Sequence, residues 1–122
     1  MDLDPLKFGL GELFQAERVF KWFGISRGDF DKIVSAHTGH GTTSAQEVAR
    51  RTRQLAHLAN LVATALGYDS NKALRWFQAS NPLLGDISPM SMIKSGRLDR
   101  LEMWIDSTLS GYQEFPDKPP GS

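Results

Sequence analysis

The sequence predicts an all-α fold. Apolar residues recur at steps of three and four through most of the 122 residues, the spacing that lines one face of a helix. The helical segments end at glycine or proline, and two of them begin with a serine three residues before an acidic residue, a pattern typical of helix N-termini. No segment shows the strict alternation of a β-strand, and no internal repeat is present.

Composition narrows the class of protein. A chain of 122 residues suits one domain, or two small helical ones that share a core. The absence of cysteine excludes disulfides and thiolate metal sites. Because 14 basic residues balance 14 acidic ones, any contact with nucleic acid has to come from a local patch. No apolar run approaches the roughly 20 residues that cross a bilayer, and the acidic start Met1–Pro5 differs from a signal peptide. We therefore expect a cytoplasmic protein without a membrane partner.

Two helices are predicted in the N-terminal quarter. The first has the apolar positions Leu10, Leu13, Phe14, Phe20 and Phe23 and ends at Gly24. Ser26 and Asp29 form a capping box for the second, with Ile25 and Phe30 as a hydrophobic staple, and this helix continues to about Ala36.

The longest predicted helix follows a glycine-rich loop over His37–Thr43. Ser44 and Glu47 form its capping box and Gly67 ends it. Its apolar stripe consists of Val48, Leu55, Leu58, Ala59, Val62 and Leu66. Arg50, Arg51 and Arg53 crowd its first half and are either a solvated face or a contact to DNA phosphates.

Three shorter helices are predicted beyond Gly67. One runs from about Ser70 to Ala79 and is broken at Asn81–Pro82. Ser88–Pro89 starts the next, which stops at Gly96. The last carries Leu98, Leu101, Ile105 and Leu109 and stops at Gly111, and we expect residues 116–122 to be disordered.

The C-terminal segment carries a pattern of breakers at fixed offsets. It consists of Ala73 and Trp76, then Asn81-Pro82 with Leu84-Gly85, Ser88-Pro89-Met90, Met92-Ile93 with Ser95-Gly96, and finally Leu101, Ile105, Leu109 and Gly111. This pattern covers about a third of the chain and resembles the toxin-binding domain of the Xre/MbcA/ParS antitoxin family.

The resemblance implies a small helical bundle that docks on a toxin of the RES type, which consumes NAD or transfers its ADP-ribose. It implies an antitoxin that covers the toxin's active site, often with its own C-terminal segment. The residues expected to contact the toxin are Trp76, Asn81, Pro82, Ser95, Arg97, Tyr112, Glu114 and Phe115. Trp76, Phe77 and Trp104 are most simply core aromatics, whereas Tyr112 and Phe115 would be anchors of an inserted arm.

The same resemblance implies an N-terminal helix-turn-helix of the Xre type, which pairs into a homodimer and represses its own operon. Here that unit is degenerate, because the loop before Ser44 exceeds the usual three or four residues. On this resemblance, its expected DNA contacts are Arg50, Arg51 and Arg53. The predicted division is 1–67 for the degenerate helix-turn-helix with its dimerisation role, 68–115 for the toxin-binding domain and arm, and 116–122 for the tail.

The patterns for a metal site and for a phosphate-binding loop are incomplete. His37 and His40 have the spacing of a metal-ligand pair, but no third ligand is near them in the sequence, and His57 lies away from them. The stretch Gly39–Thr43 lacks the lysine, the glycine spacing and the preceding strand of a phosphate-binding loop. With no nucleophile–base pair, metal cluster or cofactor loop, we expect no enzyme, no metal and no cofactor. The competing function is a transcriptional regulator whose main partner is operator DNA.

Overall fold

The computed structural model describes residues 4–9, 11–38 and 45–110. In these ranges the chain forms α1 (Ala16–Phe23), α2 (Arg27–Thr38), α3 (Ala45–Ala65), α4 (Ser70–Gln78), α5 (Pro89–Lys94) and α6 (Leu98–Ser110), with 3₁₀ helices at Gly11–Leu13 and Pro82–Leu84. The described residues contain no strand, although Asn81 and Ile87 form an isolated bridge. The predicted all-α class is confirmed. None of the helices in these ranges has the length and apolar character that a membrane span requires.

The first helix is shorter than its apolar pattern predicts. Gly11 has a φ of 57° and opens a single 3₁₀ turn, and α1 begins only at Ala16. Leu13 is 77% exposed, so its assignment to the apolar face of a helix is wrong. The left-handed backbone at Gly11 is incompatible with a continuous right-handed helix through this point. The predicted end at Gly24 is confirmed by its φ of 72°.

Helix α2 begins as its local sequence predicts. The backbone N–H of Asp29 donates to Ser26 Oγ at 3.1 Å, and both staple residues, Ile25 and Phe30, are buried. The helix extends to Thr38, so the predicted loop over His37–Thr43 starts at least two residues too early. Residues 39–44, including Ser44 of the second predicted capping box, lie outside the described residues.

Helix α3 is the centre of the fold. It spans 21 residues and packs against α1, α2, α4 and α6. Its buried side chains are Thr52, Leu55, Ala56, Leu58, Ala59, Val62 and Ala63. The N–H of Tyr68 donates to the carbonyl of Ala63 at 2.7 Å around Gly67, whose φ is 78°, so the helix ends where the glycine predicts.

The buried apolar residues form one core that includes side chains from both sides of Gly67. Phe77 on α4 packs edge-to-face on Phe23 at 5.1 Å and on Trp22 at 5.8 Å, measured between ring centroids. Helices α1 and α4 are therefore joined by aromatic contacts. The functional division into 1–67, 68–115 and 116–122 stays a prediction.

The capping, proline and glycine residues of the C-terminal half lie at the ends of its helices. Asp69 caps α4 by accepting from the N–H of Lys72 at 3.0 Å, a cap that the sequence analysis did not assign. Ser88 caps α5 by accepting from the N–H of Ser91 at 3.0 Å, with Pro89 in the first helical position. Gly96, at a φ of 78°, separates α5 from α6. These starts and stops confirm the predicted order of helices between Ser70 and Ser110.

Candidate functional site

Trp76 lies beneath the surface of the C-terminal half. It is 9% exposed and stacks on Trp104 of α6 with 6.0 Å between ring centroids. Phe77 packs edge-to-face on Trp76 at 5.2 Å between ring centroids and is fully buried. The prediction that these rings belong to the core is confirmed for Trp76 and Phe77, while Trp104 is half-buried. Any contribution of Trp76 to docking is through the shape of this surface.

Asn81 acts as a local organiser of the turn between α4 and α5. Its Oδ1 accepts from the N–H of Leu83 at 2.9 Å, and its backbone N–H donates to the carbonyl of Ile87 at 3.0 Å. The residue is 8% exposed, so its polar groups are turned toward its own loop. The adjacent Pro82 is exposed. Of this predicted pair, Pro82 is therefore the one available to a partner.

Ser95 and Arg97 flank Gly96 at the corner between α5 and α6, and both are exposed. Ser95 Oγ donates to the carbonyl of Met92 at 3.1 Å, and the backbone N–H of Arg97 donates to the same carbonyl at 2.8 Å. These bonds fix the backbone of the corner. The side chain of Arg97 remains available at the surface.

The predicted arm follows the last residue of α6 in the sequence. Tyr112, Glu114 and Phe115 lie outside the described residues, as do Gly111 and residues 116–122. Helix α6 leads to the arm, because its last residue is Ser110.

Arg51 is held between two helices. Its side chain is 12% exposed and donates to Glu47 and Gln54 of α3 and to Asp99 of α6, the last at 2.5 Å. Gln54 completes the network by donating to Asp99 at 2.9 Å and to Glu102 at 3.1 Å. Arg51 thus joins α3 to the first turn of α6.

The charges in this network shift one another's pKa. The hydrogen bond from Arg51, helped by that from Gln54, lowers the pKa of Asp99 to about 2. The same partnership with Asp99 raises the pKa of Arg51. Arg50 and then Arg51 lower the pKa of Glu47. All three side chains therefore stay charged at neutral pH.

Arg50 and Arg53 differ from Arg51 in being exposed. Arg50 pairs with Glu47 at 2.8 Å and keeps 61% of its side chain exposed. Arg53 lies over the ring of Phe14, with its guanidinium carbon 4.5 Å from the centroid, and donates to the carbonyl of Gly11 at 3.1 Å. The predicted cluster is therefore two surface arginines and one interhelical arginine.

The predicted DNA-contacting and toxin-contacting residues lie on neighbouring parts of the molecule. Arg51, from the first set, binds Asp99, which is two positions from Arg97 in the second set. The first half of α3 and the corner between α5 and α6 therefore share one region of the surface.

A cleft lies beside Arg53, between α2 and the first half of α3. Phe14, Ala16, Arg27, Asp31, Ala45, Val48, Ala49, Thr52 and Arg53 line it. The hydroxyl of Thr52 donates to the carbonyl of Val48 at 2.8 Å, and Arg27 donates to the carboxylate of Glu17. The hydroxyl that could act as a nucleophile is thus engaged by the backbone of its own helix.

The histidines are not brought together by the described structure. His57 is exposed on α3, whereas His40 and the side chain of His37 lie outside the described residues. Within the described ranges, no three or more His, Asp or Glu side chains are placed to hold a metal ion. The stretch Gly39–Thr43 also lies outside those ranges.

Sequence reasoning missed three groups of residues. The first is the network of Glu47, Gln54, Asp99 and Glu102 around Arg51. The second is a clamp in which Asn60 of α3 binds Asp4 and the backbone of Leu6. The third is the exposed pair Arg100 and Met103, which continue from Arg97 at steps of three. Only the third has a signal in the sequence, namely that spacing.

Comparison of the chain with protein-family models, with curated proteins and with solved structures finds no match. The resemblance to the Xre/MbcA/ParS antitoxins therefore depends on the residues between Ala73 and Gly111.

Proposed function

We propose that this chain is the antitoxin of a type II toxin–antitoxin pair. It binds a RES-type toxin that consumes NAD or transfers ADP-ribose, blocks the toxin's active site and catalyses nothing itself. It acts in the cytoplasm as a homodimer and needs no cofactor.

The observation that carries this proposal is the arrangement of the breaker pattern. Asn81–Pro82, Ser88–Pro89 and Ser95–Gly96 turn the chain between α4, α5 and α6. These turns leave Pro82, Ser95 and Arg97 at the surface, and the stacked rings of Trp76 and Trp104 belong to the same group of helices. A rigid apolar base with exposed polar groups at its corners suits a protein-docking surface.

The toxin would be neutralised because the bound antitoxin covers its active site. Docking of the α4–α6 surface would bring the segment after Ser110 to the toxin, where Tyr112 and Phe115 bury apolar area. Two such aromatic anchors are able to dominate the binding energy of an interface. The NAD cleft would then be closed to substrate.

The proposal predicts a RES-type protein encoded beside this gene, and the test is co-expression of that protein with this chain. Cells that carry the toxin alone should lose NAD and stop growing, and cells that also carry this chain should keep both. The matched control is the same plasmid with a stop codon early in the antitoxin. Loss of NAD in the presence of well-expressed, folded antitoxin refutes the proposal, as does a neighbouring gene of unrelated chemistry.

A second candidate function is repression through operator DNA. Its supporting observation is the exposed face of α3 formed by Gln46, Ala49, Arg50 and Arg53. If this face contacts phosphates, the double variant Arg50→Ala/Arg53→Ala should weaken binding to the promoter and reduce its salt dependence. A chain that ignores its own promoter at low salt, with and without toxin, refutes repression and leaves the antitoxin proposal standing.

A further inference from the structure

A ridge of three exposed residues begins at Arg97, just before α6, and continues along that helix through Arg100 and Met103, and the exposed Asp106 follows at the next step. They follow one another at steps of three, the spacing of a ridge on a helix surface. Met103 is 71% exposed, which makes it one of the most exposed large apolar side chains of the described residues. Lys94, also exposed, lies in the last turn of α5 beside this ridge.

The cations of the ridge are unengaged. Among the described residues, no side-chain hydrogen bond or ion pair involves Lys94, Arg97 or Arg100, in contrast to Arg27, Arg50 and Arg51. The neighbouring carboxylate of Asp99 is occupied by Arg51 and Gln54. The N-terminal end of the ridge, with Lys94, therefore presents three positive charges that the fold does not use, and Asp106 lies beyond its other end.

We infer that the ridge of Arg97, Arg100 and Met103 is a docking surface for an acidic patch on the toxin, with an apolar contact for Met103. The inference rests on the proposed antitoxin function and names the chemistry of the partner's surface. Arginine and methionine are among the residue types enriched in protein interfaces. Opposed charges steer the encounter, and a guanidinium binds a carboxylate through two parallel hydrogen bonds.

A protein fits this surface better than nucleic acid does. A nucleic acid carries a phosphate at every step, whereas the ridge offers cations only at its N-terminal end, before Met103 and the exposed Asp106. An exposed methionine also gains nothing from a phosphate backbone, whereas burial against an apolar partner removes it from water. Mixed charge with one apolar residue is the pattern of a protein interface.

The test measures binding of the purified chain to the RES-type toxin of the co-expression experiment. The charge-reversal variant Arg97→Glu/Arg100→Glu should weaken binding at least tenfold at low salt, and by less at high salt, because charge attraction is screened. Acidic side chains are favourable at a helix N-terminus, so this variant should fold. The matched control is Lys21→Glu/Lys32→Glu, an equal change of charge at two exposed lysines, which should bind within twofold of wild type.

A second pair of variants tests the apolar contact proposed for Met103. Met103→Ala should weaken toxin binding about fivefold, and Leu13→Ala, at a side chain that is 77% exposed, should have no effect. Thermal unfolding of every variant shows whether loss of binding reflects loss of the fold. The milder Arg97→Gln/Arg100→Gln variant gives a second measurement without added negative charge and should lie between wild type and the reversal.

The outcomes separate the inference from the function on which it rests. If wild type neutralises the toxin and the folded ridge variants bind it equally well, the ridge is not the docking surface and the antitoxin function survives. A reversal that weakens binding to a 20-base-pair duplex of random sequence as strongly as binding to toxin overturns the inference in favour of nucleic acid. Failure of the wild-type chain to bind the toxin refutes the function and this partner together.

Discussion

The guanidinium of Arg51 on α3 and the carboxylate of Asp99 on α6 lie 2.5 Å apart, and this bond ties the two halves of the sequence together. Glu47 and Gln54 also bind Arg51, so this half-buried cation joins three side chains from two helices. Arg51, one of the three arginines expected to contact DNA, therefore lies in the contact between α3 and α6.

Arg51→Ala should destabilise the fold. The substitution removes a side chain that is 12% exposed and leaves Asp99, Glu47 and Gln54 without their common donor. We expect a loss of about 1–3 kcal/mol in the free energy of unfolding. Urea denaturation at pH 7 measures it. The matched control is Arg50→Ala, whose side chain is 61% exposed and whose loss should cost less than about 1 kcal/mol. Equal stability of the two variants contradicts the interhelical role of Arg51.

Acid should weaken the same contact within a defined range. The pKa of Asp99 is about 2 in the folded chain against an ordinary 3.8, so folding favours its charged form. That stabilisation is complete above about pH 4 and is lost as the pH falls through about 2. Because 60% of the Asp99 side chain is exposed, we expect it to amount to at most about 1 kcal/mol.

The variant Asp99→Asn tests this pH dependence. Urea midpoints measured at pH 7, 4 and 2.5 should show that wild type is the more stable protein at the two higher values and that the difference shrinks at the lowest. Asp106→Asn, at an exposed position of the same helix, is the control and should follow wild type throughout. A difference that stays constant with pH argues against the charged pairing.

These relationships show which parts of the fold the sequence can predict. Each of the caps of α2 and α5 joins a serine, Ser26 or Ser88, to the residue three positions later, so a short stretch of sequence is enough to predict it. Arg51 and Asp99 are 48 residues apart, and no local pattern indicates that they meet. Leu13 has the spacing of a core residue, yet the left-handed backbone at Gly11 places it in solvent. Local chemistry predicts where helices begin and end, and tertiary packing decides which side chains they share.

The buried carboxylate of Asp4 folds the segment 4–9 on itself and bonds it to Asn60 of α3, so removal of this carboxylate should loosen the segment. Asp4 is 9% exposed and accepts from the N–H of Phe8 at 2.9 Å, the N–H of Gly9 at 2.8 Å and Asn60 Nδ2 at 3.2 Å. Asp4→Ala leaves these donors without their acceptor, so we expect a loss of about 1–3 kcal/mol. Thermal and urea unfolding measure it, and amide exchange at Phe8 should rise. Asp31→Ala, at an exposed carboxylate, should stay within about 0.5 kcal/mol of wild type. An unchanged Asp4→Ala protein would show that Phe8 is held by its apolar contacts alone.

Truncation after Gly111 should separate folding from neutralisation. The core residues identified in the described ranges extend no further than Ile105, so the shortened chain should keep the helical content and the cooperative unfolding of the full chain. It should nevertheless lose neutralisation of a RES-type toxin, because Tyr112 and Phe115 are large, mainly apolar and rigid enough to be buried at low entropic cost. We expect a loss of about 2–4 kcal/mol in binding if both side chains are anchors. Growth and NAD content of cells that co-express toxin with either form of the chain provide the measurement.

Point variants in the full chain show whether neutralisation needs the two aromatic side chains or only the presence of the segment. Tyr112→Ala/Phe115→Ala should reproduce most of the truncation, whereas Gln113→Ala, between them, should protect cells as wild type does. Glu114→Gln should weaken binding more at low salt than at high salt if its carboxylate meets a cation in the NAD cleft. Full protection by the folded, truncated chain would exclude the segment as the inhibitory element. Occlusion would then have to come from the surface of α4–α6, where the variants of Arg97, Arg100 and Met103 would already show it.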